Sequence, residues 1–195
     1  MELSKKERRE IRRQEKQSAQ ASGARAKTIK KSAVWVAAAV IIAAGGYAGY
    51  VYVSKTLNIP EVGQAYPIEG ANHVADGTKV DYKTNPPSSG AHYASPARWG
   101  VYGKPLPDET LVHNLEHGGV WISYKPTLPE EDIKKLEDLV KSYRSKVILT
   151  PREKNDSPIA LASWGRVYKM DSFDEGAIKN FILKYKNTGP EIIPD

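Results

Sequence analysis

The sequence predicts an α+β domain that follows one N-terminal transmembrane helix. Two observations carry this prediction: residues 32–53 contain no charged side chain, and the second half of the chain alternates helical and strand-like patterns. The order helix–strand–helix–strand–strand–helix indicates a mostly antiparallel sheet with amphipathic helices on one face. The predicted organisation is a basic, disordered cytoplasmic tail (1–31), a transmembrane helix (32–53), a stalk (54–65) and an extracytoplasmic domain (66–190).

The N-terminal tail accounts for the positive charge of the chain. Residues 1–31 contain 11 Lys or Arg and 4 Asp or Glu, whereas the remainder has 18 basic and 19 acidic residues. The tail has no aromatic residue among its charges and almost no apolar stripe, so it predicts no nucleic-acid partner. We expect it to be solvated and attracted to anionic lipid headgroups.

The apolar stretch predicts a single membrane anchor. At about 1.5 Å per residue, a helix over 32–53 would be roughly 33 Å long, which is enough to cross the hydrocarbon core. Trp35 near one end and Tyr50 and Tyr52 near the other suit the two interfaces. Basic residues crowd the N-terminal flank, so the positive-inside rule places the N-terminus in the cytoplasm and the C-terminal domain outside the cell membrane.

A cleaved signal peptide is the alternative for this stretch. Its basic region would be unusually long, its apolar run is too long, and no clear small-x-small cleavage site ends it. The pattern therefore favours a signal-anchor. Gly45 and Gly49 form a small-xxx-small pair that permits helix dimerisation, although such pairs are common in alanine-rich spans.

The first half of the domain, to about Pro107, is rich in loops. Thr78–Tyr82 alternates like a short strand, and the segment Asn85–Tyr93 has two prolines and a glycine that fix an irregular path. A stretch this long without regular structure inside a compact domain is usually functional.

The second half is more regular. Its predicted elements are a helix over 109–117 capped by Asp108, a strand Val120–Tyr124, a helix from Thr127 or Pro129 to about Tyr143, a strand Lys146–Thr150, a strand-like stretch Ile159–Met170, and a helix capped by Ser172 and ended by Gly189-Pro190.

Four histidines, all in the turn-rich part or next to it, are the candidate metal ligands. His113 and His117 are four residues apart on the first helix, so both side chains leave the same face, with Glu116 beside them. His73 and His92 lie in turn-rich segments that can bend towards this face. The chain has no cysteine, which excludes disulfides, thiolate metal sites and cysteine nucleophiles. Imidazole and carboxylate ligands suit zinc or copper(II).

Two other functions remain open at this point. Residues 113–117 match H-x-x-E-H, the inverted zincin motif, in which Glu116 would be the general base of a metal-dependent hydrolase. Against this, Gly118-Gly119 ends the helix at once, and the only well-separated downstream acid, Glu191, lies in a terminal tail. The third hypothesis is a non-enzymatic interaction module of the cell envelope. Its protein partner is unidentified, and its histidines would only stabilise turns.

Weaker candidates surround His92. Ser88 or Ser89 with His92 resembles a nucleophile and base, but no G-x-S-x-G elbow surrounds them. The amides of residues 88–91 suggest an anion-binding nest as readily as an ordinary tight turn. The tryptophans Trp99, Trp121 and Trp164 are interpreted as packing residues.

Several of these segments together resemble a bacterial family of membrane-anchored proteins with a domain of unknown function. The motifs that carry the resemblance are Asn72-His73-Val74, Pro86–Tyr93, Trp99–Tyr102, Leu111–Gly119 and Ile159–Arg166. The resemblance covers about residues 66–190. One departure is Ser88, where the family typically has threonine, and the hydroxyl is kept. The resemblance implies a membrane anchor and an extracytoplasmic domain, and no established activity.

Overall fold

The computed structural model describes residues 35–54, 59, 61–191, 193 and 194. The chain divides into two units, Met1–Leu57 and Asn58–Asp195, which are described separately. The predicted tail, residues 1–31, lies outside the described residues, as does the part of the predicted stalk from 55 to 58.

In the described part of the first unit, residues 35–54, the chain forms an apolar helix, α1 (Trp35–Ser54). It has 20 residues, a mean hydropathy of 1.8 and no buried residues in its most apolar window. At 1.5 Å per residue its length is about 30 Å, enough to cross a membrane, although a signal sequence near an N-terminus meets the same criteria.

The second unit is built on a mixed, mostly antiparallel sheet. Among the described residues the sheet has six strands in the order β1-β8-β7-β5-β6-β4. The pairs β1–β8, β8–β7 and β7–β5 are antiparallel, whereas β5–β6 and β6–β4 are parallel. The strands are β1 (Gln64–Ala65), β4 (Gly100–Val101), β5 (Val120–Tyr124), β6 (Val147–Pro151), β7 (Ile159–Ser163) and β8 (Arg166–Met170).

A second, two-stranded ladder lies outside this sheet. It pairs β2 (His73–Val74) with β3 (His92–Tyr93) in parallel. Three helices complete the domain: α2 (Asp108–Glu116), α3 (Glu130–Lys141) and α4 (Glu175–Tyr185). The α+β class predicted from the sequence is confirmed.

The two faces of the sheet carry different helices because side chains alternate along each strand. Val120 and Ile122 of β5 face the larger core, to which α3 contributes Leu136 and α4 contributes Phe181. Trp121, between them in sequence, belongs to a smaller cluster on the opposite face. The amphipathic helices α3 and α4 thus share one face as predicted, while α2, through Leu111 and Leu115, packs on the other. The helix that carries His113 and His117 is therefore separated from the main core.

Several local predictions were wrong in detail. Thr78–Tyr82 is not a strand, because its polar groups bond elsewhere: Val80 N–H donates to Glu109 Oε1, and the Thr78 carbonyl accepts from the Tyr93 hydroxyl. Ile159–Met170 is two strands, because a turn at Trp164-Gly165, with Gly165 at φ +71°, reverses the chain.

The helix ends also differ from the prediction. Pro107, not Asp108, is the N-cap of α2, and Asp174, not Ser172, caps α4 by accepting from the Ala177 amide. Helix α4 ends at Tyr185, before Gly189-Pro190. Strand β1 falls within the segment predicted as stalk.

Candidate metal centre

A glycine turn sets the orientation of the two helical histidines. Helix α2 ends at Glu116, and Gly118 follows at φ +76°, where an added Cβ would lie 2.9 Å from the Asn187 Cα. A Cβ on Gly119 would lie 2.6 Å from both the Asn114 carbonyl oxygen and the Trp99 ring. Only glycine fits both positions, so the chain turns directly after His117, the C-cap of α2, and enters β5.

The β2–β3 ladder brings the other two histidines beside this helix. His73 lies opposite His92 in the ladder, and the His92 amide donates to the Asn72 carbonyl at 3.0 Å. The next residue of β3, Tyr93, accepts a hydrogen bond from the His113 ring at its carbonyl. A two-residue ladder thus joins two distant loop segments to α2.

The four histidines predicted from the sequence meet in one cluster. The ring centroids of His73, His92 and His113 are 5.0 Å apart in every pair, and those of His113 and His117 are 4.4 Å apart. Possible ligand atoms of His73, His92 and His113 all lie within 4.8 Å of one another, and so do those of His113, Glu116 and His117. His113 belongs to both groups and is the centre of the cluster.

Backbone carbonyls select the tautomer of two of these rings. His92 Nδ1 is 2.8 Å from the Gly90 carbonyl oxygen, and His113 Nδ1 is 2.6 Å from that of Tyr93. Because a carbonyl only accepts, each Nδ1–H donates, which leaves the lone pair of the neutral ring on Nε2. Metal-binding histidines are held in this way by hydrogen bonds at the nitrogen that does not bind the metal.

The free nitrogens face other electron-pair donors. His113 Nε2 is 3.1 Å from His117 Nε2, and His92 Nε2 is 2.9 Å from Glu116 Oε2. Two nitrogen ligands at about 2.0–2.1 Å from one tetrahedral ion are about 3.3 Å apart, which is close to the separation of the His113 and His117 nitrogens. The contact of His92 with Glu116 has the length of a hydrogen bond. Lone pairs at such distances repel one another unless a proton or a metal ion lies between them. The donor set therefore fits a bound cation.

Burial favours the neutral form of the central imidazole. It lowers the pKa of His113, and the neighbouring His117 and His92 lower this pKa further, whereas the Tyr93 carbonyl and the Glu116 carboxylate oppose the shift. A lowered pKa means that the ring stays unprotonated to lower pH, and only the neutral ring can bind a metal.

Access to solvent is provided at one side of the cluster. The His73 side chain is 50% exposed, whereas that of His92 is fully buried and that of Glu116 nearly so. Within the part of the chain that the structure describes, His117 Nδ1 is buried without a hydrogen-bond partner. The cluster is thus closed by protein on the α2 side and open at His73.

Glu191 lies beside this cluster, next to His117, a position that the sequence patterns do not predict. Its Oε2 is 3.5 Å from His117 Nε2, and its amide donates to the Glu116 carbonyl at 3.1 Å. The sequence feature that points to Glu191 is its position as an acid downstream of the H-x-x-E-H motif. Its place in a terminal tail argues against a contact with that motif. The structure places this terminal segment against the end of α2.

The other sequence candidates have structural roles. Ser88 pairs with the Thr84 hydroxyl, and Ser89 accepts from the Glu69 amide, whereas both ring nitrogens of His92 face other partners. The amides of Ser88 and Gly90, two of the four considered for an anion nest, already donate to protein oxygens.

The tryptophans pack as interpreted from the sequence. Trp121 is fully buried, and its Nε1–H donates to the Thr150 hydroxyl, while Trp99 and Trp164 border the same apolar cluster beneath α2. The Trp164 ring also meets the His92 ring edge-on, with centroids 6.3 Å apart.

Comparison with known proteins gives one match. No curated protein and no solved structure matches the chain significantly. A family described as "Protein of unknown function (DUF3105)" matches residues 73–194, a span that begins at His73 and includes the other three histidines, Glu116 and Glu191. By this match over more than half of its length, the chain belongs to the DUF3105 family.

Proposed function

We propose that this protein is a membrane-anchored, extracytoplasmic metal-binding protein. The proposed ligands of a divalent ion, zinc or copper(II), are drawn from His73, His92, His113 and His117, with Glu116 as an additional ligand or partner. The observation that supports the proposal is the arrangement of the donor atoms. Backbone carbonyls hold the rings of His113 and His92 at Nδ1. The Nε2 atom of His113 lies 3.1 Å from His117 Nε2, and that of His92 lies 2.9 Å from Glu116 Oε2.

The donor types support the choice of metal. Imidazole nitrogen and carboxylate oxygen without thiolate favour zinc and copper(II) over the soft copper(I) ion. His113 and Glu116 offer an imidazole nitrogen and a carboxylate oxygen in a buried site, and burial lowers the pKa of His113, which favours the ring form that can bind a metal.

A metal-dependent hydrolase with Glu116 as general base is the second candidate. The observation in its favour is that Glu191 reaches His117, so that the H-x-x-E-H helix has a downstream acid beside it. The contact of Glu116 with His92 Nε2 favours a ligand role for this carboxylate over that of a base activating water. The exposed edge at His73 is where a substrate would enter.

Metal analysis of the full-length chain in detergent tests the proposal. After chelator treatment and reloading, we expect stoichiometric zinc or copper. At free metal a hundredfold above the Kd, binding stabilises the folded state by about 2.7 kcal/mol. For a domain of this size that corresponds to a rise in Tm of roughly 5–10 °C.

The opposite result would favour the interaction module. If no metal binds stoichiometrically and the Tm is the same with metal and with chelator, the histidines are structural. Folding and partner binding would then be indifferent to chelators, as that reading requires.

The membrane anchor is tested by the labelling of introduced cysteines, since the chain has none of its own. A Lys104→Cys variant, at an exposed position of the domain, is expected to react with a membrane-impermeant maleimide in intact cells. A Ser18→Cys variant in the basic tail is expected to react only after permeabilisation. Labelling of Ser18→Cys in intact cells, or release of the domain into the medium, would contradict the topology.

A further inference from the structure

We propose that Glu191 is a metal ligand, and that the metal fastens the C-terminal segment to the end of α2. This segment, residues 187–191, is called the C-terminal strap. The inference rests on the proposed function and extends it, since it adds a second carboxylate to the centre and couples metal binding to the order of a chain segment.

The backbone of the strap is hydrogen-bonded to the carbonyl groups of the residues before and after His117. The Asn187 amide donates to the Gly118 carbonyl at 2.8 Å, and the Glu191 amide donates to the Glu116 carbonyl at 3.1 Å. Between them, Gly189 lies so close to the backbone of residues 115–118 that it leaves no room for a Cβ. The strap therefore lies directly against the helix end that presents His117.

A buried lysine holds the strap from the other side. Lys146, at the entrance to β6, is 2% exposed and adopts φ +59°, an uncommon conformation for a residue with a side chain. Its Nζ donates to the Asn187 side-chain oxygen at 2.6 Å and to the Ile193 carbonyl at 2.5 Å. With these bonds the strap is positioned by both the sheet and α2, although it contains no helix or strand.

The Glu191 side chain is the part of the strap that reaches the cluster. Its Oε2 lies 3.5 Å from the same His117 Nε2 that is 3.1 Å from His113 Nε2. Both separations are near the roughly 3.3 Å expected between two ligands of one tetrahedral ion. The Glu191 side chain is 61% exposed, and coordination would require its carboxylate to turn towards the ion that His117 binds.

The second carboxylate would neutralise the remaining charge of a divalent ion. A divalent ion held by neutral imidazoles and Glu116 alone would leave one uncompensated positive charge beside side chains that are largely buried. Burial of an uncompensated charge is costly, and Glu191 brings the formal charge of the centre to zero. The same balance favours a divalent ion over a monovalent one.

The test compares zinc binding by the full-length chain and by two glutamate variants. Glu191→Gln keeps the size and the backbone bonds of the residue but removes its charge, and is expected to weaken zinc binding by about tenfold or more. Glu130→Gln, an exposed glutamate in α3 on the opposite side of the sheet, is the matched control and is expected to bind as the natural protein does. Glu191→Asp is expected to restore part of the affinity.

Hydrogen exchange of the strap amides provides a readout that a purely structural role would not change. Zinc is expected to slow exchange at Asn187 and Glu191 in the natural protein, and to do so much less in Glu191→Gln. If Glu191→Gln binds zinc as tightly as the natural protein does, and zinc protects its strap amides equally, the inference about Glu191 is wrong. The proposed histidine centre is not affected by that result. If the natural protein binds neither zinc nor copper(II), both this inference and the proposed function are wrong.

Discussion

Replacement of His113 by alanine is expected to abolish stoichiometric metal binding. His113 belongs to both groups of possible ligands, and its ring lies at 5.0 Å from those of His73 and His92 and at 4.4 Å from that of His117. Loss of an outer-shell partner alone typically costs 10–100-fold in metal affinity. Loss of this central ligand should therefore exceed about a hundredfold, as measured by competition titration of zinc against a chelator of known affinity.

A loss of zinc binding because a ligand is missing has to be distinguished from a loss because the His113→Ala variant is unfolded. The Tyr93 carbonyl loses a hydrogen bond when His113 is removed, so the metal-free Tm is expected to fall modestly. Thr110→Ala, one turn earlier on the same helix, is the control and should bind zinc normally. A folded His113→Ala protein with undiminished zinc affinity would contradict the proposed centre.

The largest expected loss of stability follows from breaking the ion pair between Asp108 and Arg152. Arg152 is 7% exposed, and its Nε and Nη2 donate to the two Asp108 carboxylate oxygens at 2.9 and 2.8 Å. The guanidinium also lies 5.6 Å from the centre of the Trp121 ring. Asp108→Asn leaves a buried guanidinium without its counter-charge, which typically costs about 3–5 kcal/mol.

Thermal unfolding measures this effect. We expect the Tm of Asp108→Asn to fall by roughly 10 °C. The matched control is Glu137→Gln, which removes one partner of an exposed pair with Lys141 in α3 and should cost less than about 1 kcal/mol. Equal losses in the two variants would show that Arg152 does not depend on Asp108. Because this pair ties the start of α2 to the end of β6, it also fixes the helix that carries His113 and His117.

Local patterns were enough to predict the regular half of the domain. Val120–Tyr124 matches the observed β5 because it is a run of large apolar and β-branched residues that are buried on both faces. The helix predicted from Thr127 or Pro129 to about Tyr143 corresponds to α3, although its ends differ by a few residues. The irregular half was predicted poorly, because segments such as Thr78–Tyr82 are fixed by bonds to distant side chains and not by their own periodicity.

The sequence by itself determined the residue types available for chemistry and their placement on α2. The absence of cysteine limits the ligands to imidazole, carboxylate and other oxygens, and the spacing of His113 and His117 puts both on one helix face. The glycines after His117 predict that the helix ends there, because glycine readily adopts the left-handed conformation found at helix C-termini.

Only the tertiary structure decided which residues share the centre and how they are oriented. The ladder that pairs His73 with His92, the carbonyl of Tyr93 that fixes His113, and the strap that carries Glu191 back to His117 are all long-range contacts. Such contacts depend on where the chain returns in space, which no local spacing encodes. The stretch around His113 thus supplied the donors, and the folding of two loops and the C-terminal strap against it assembled the candidate metal centre.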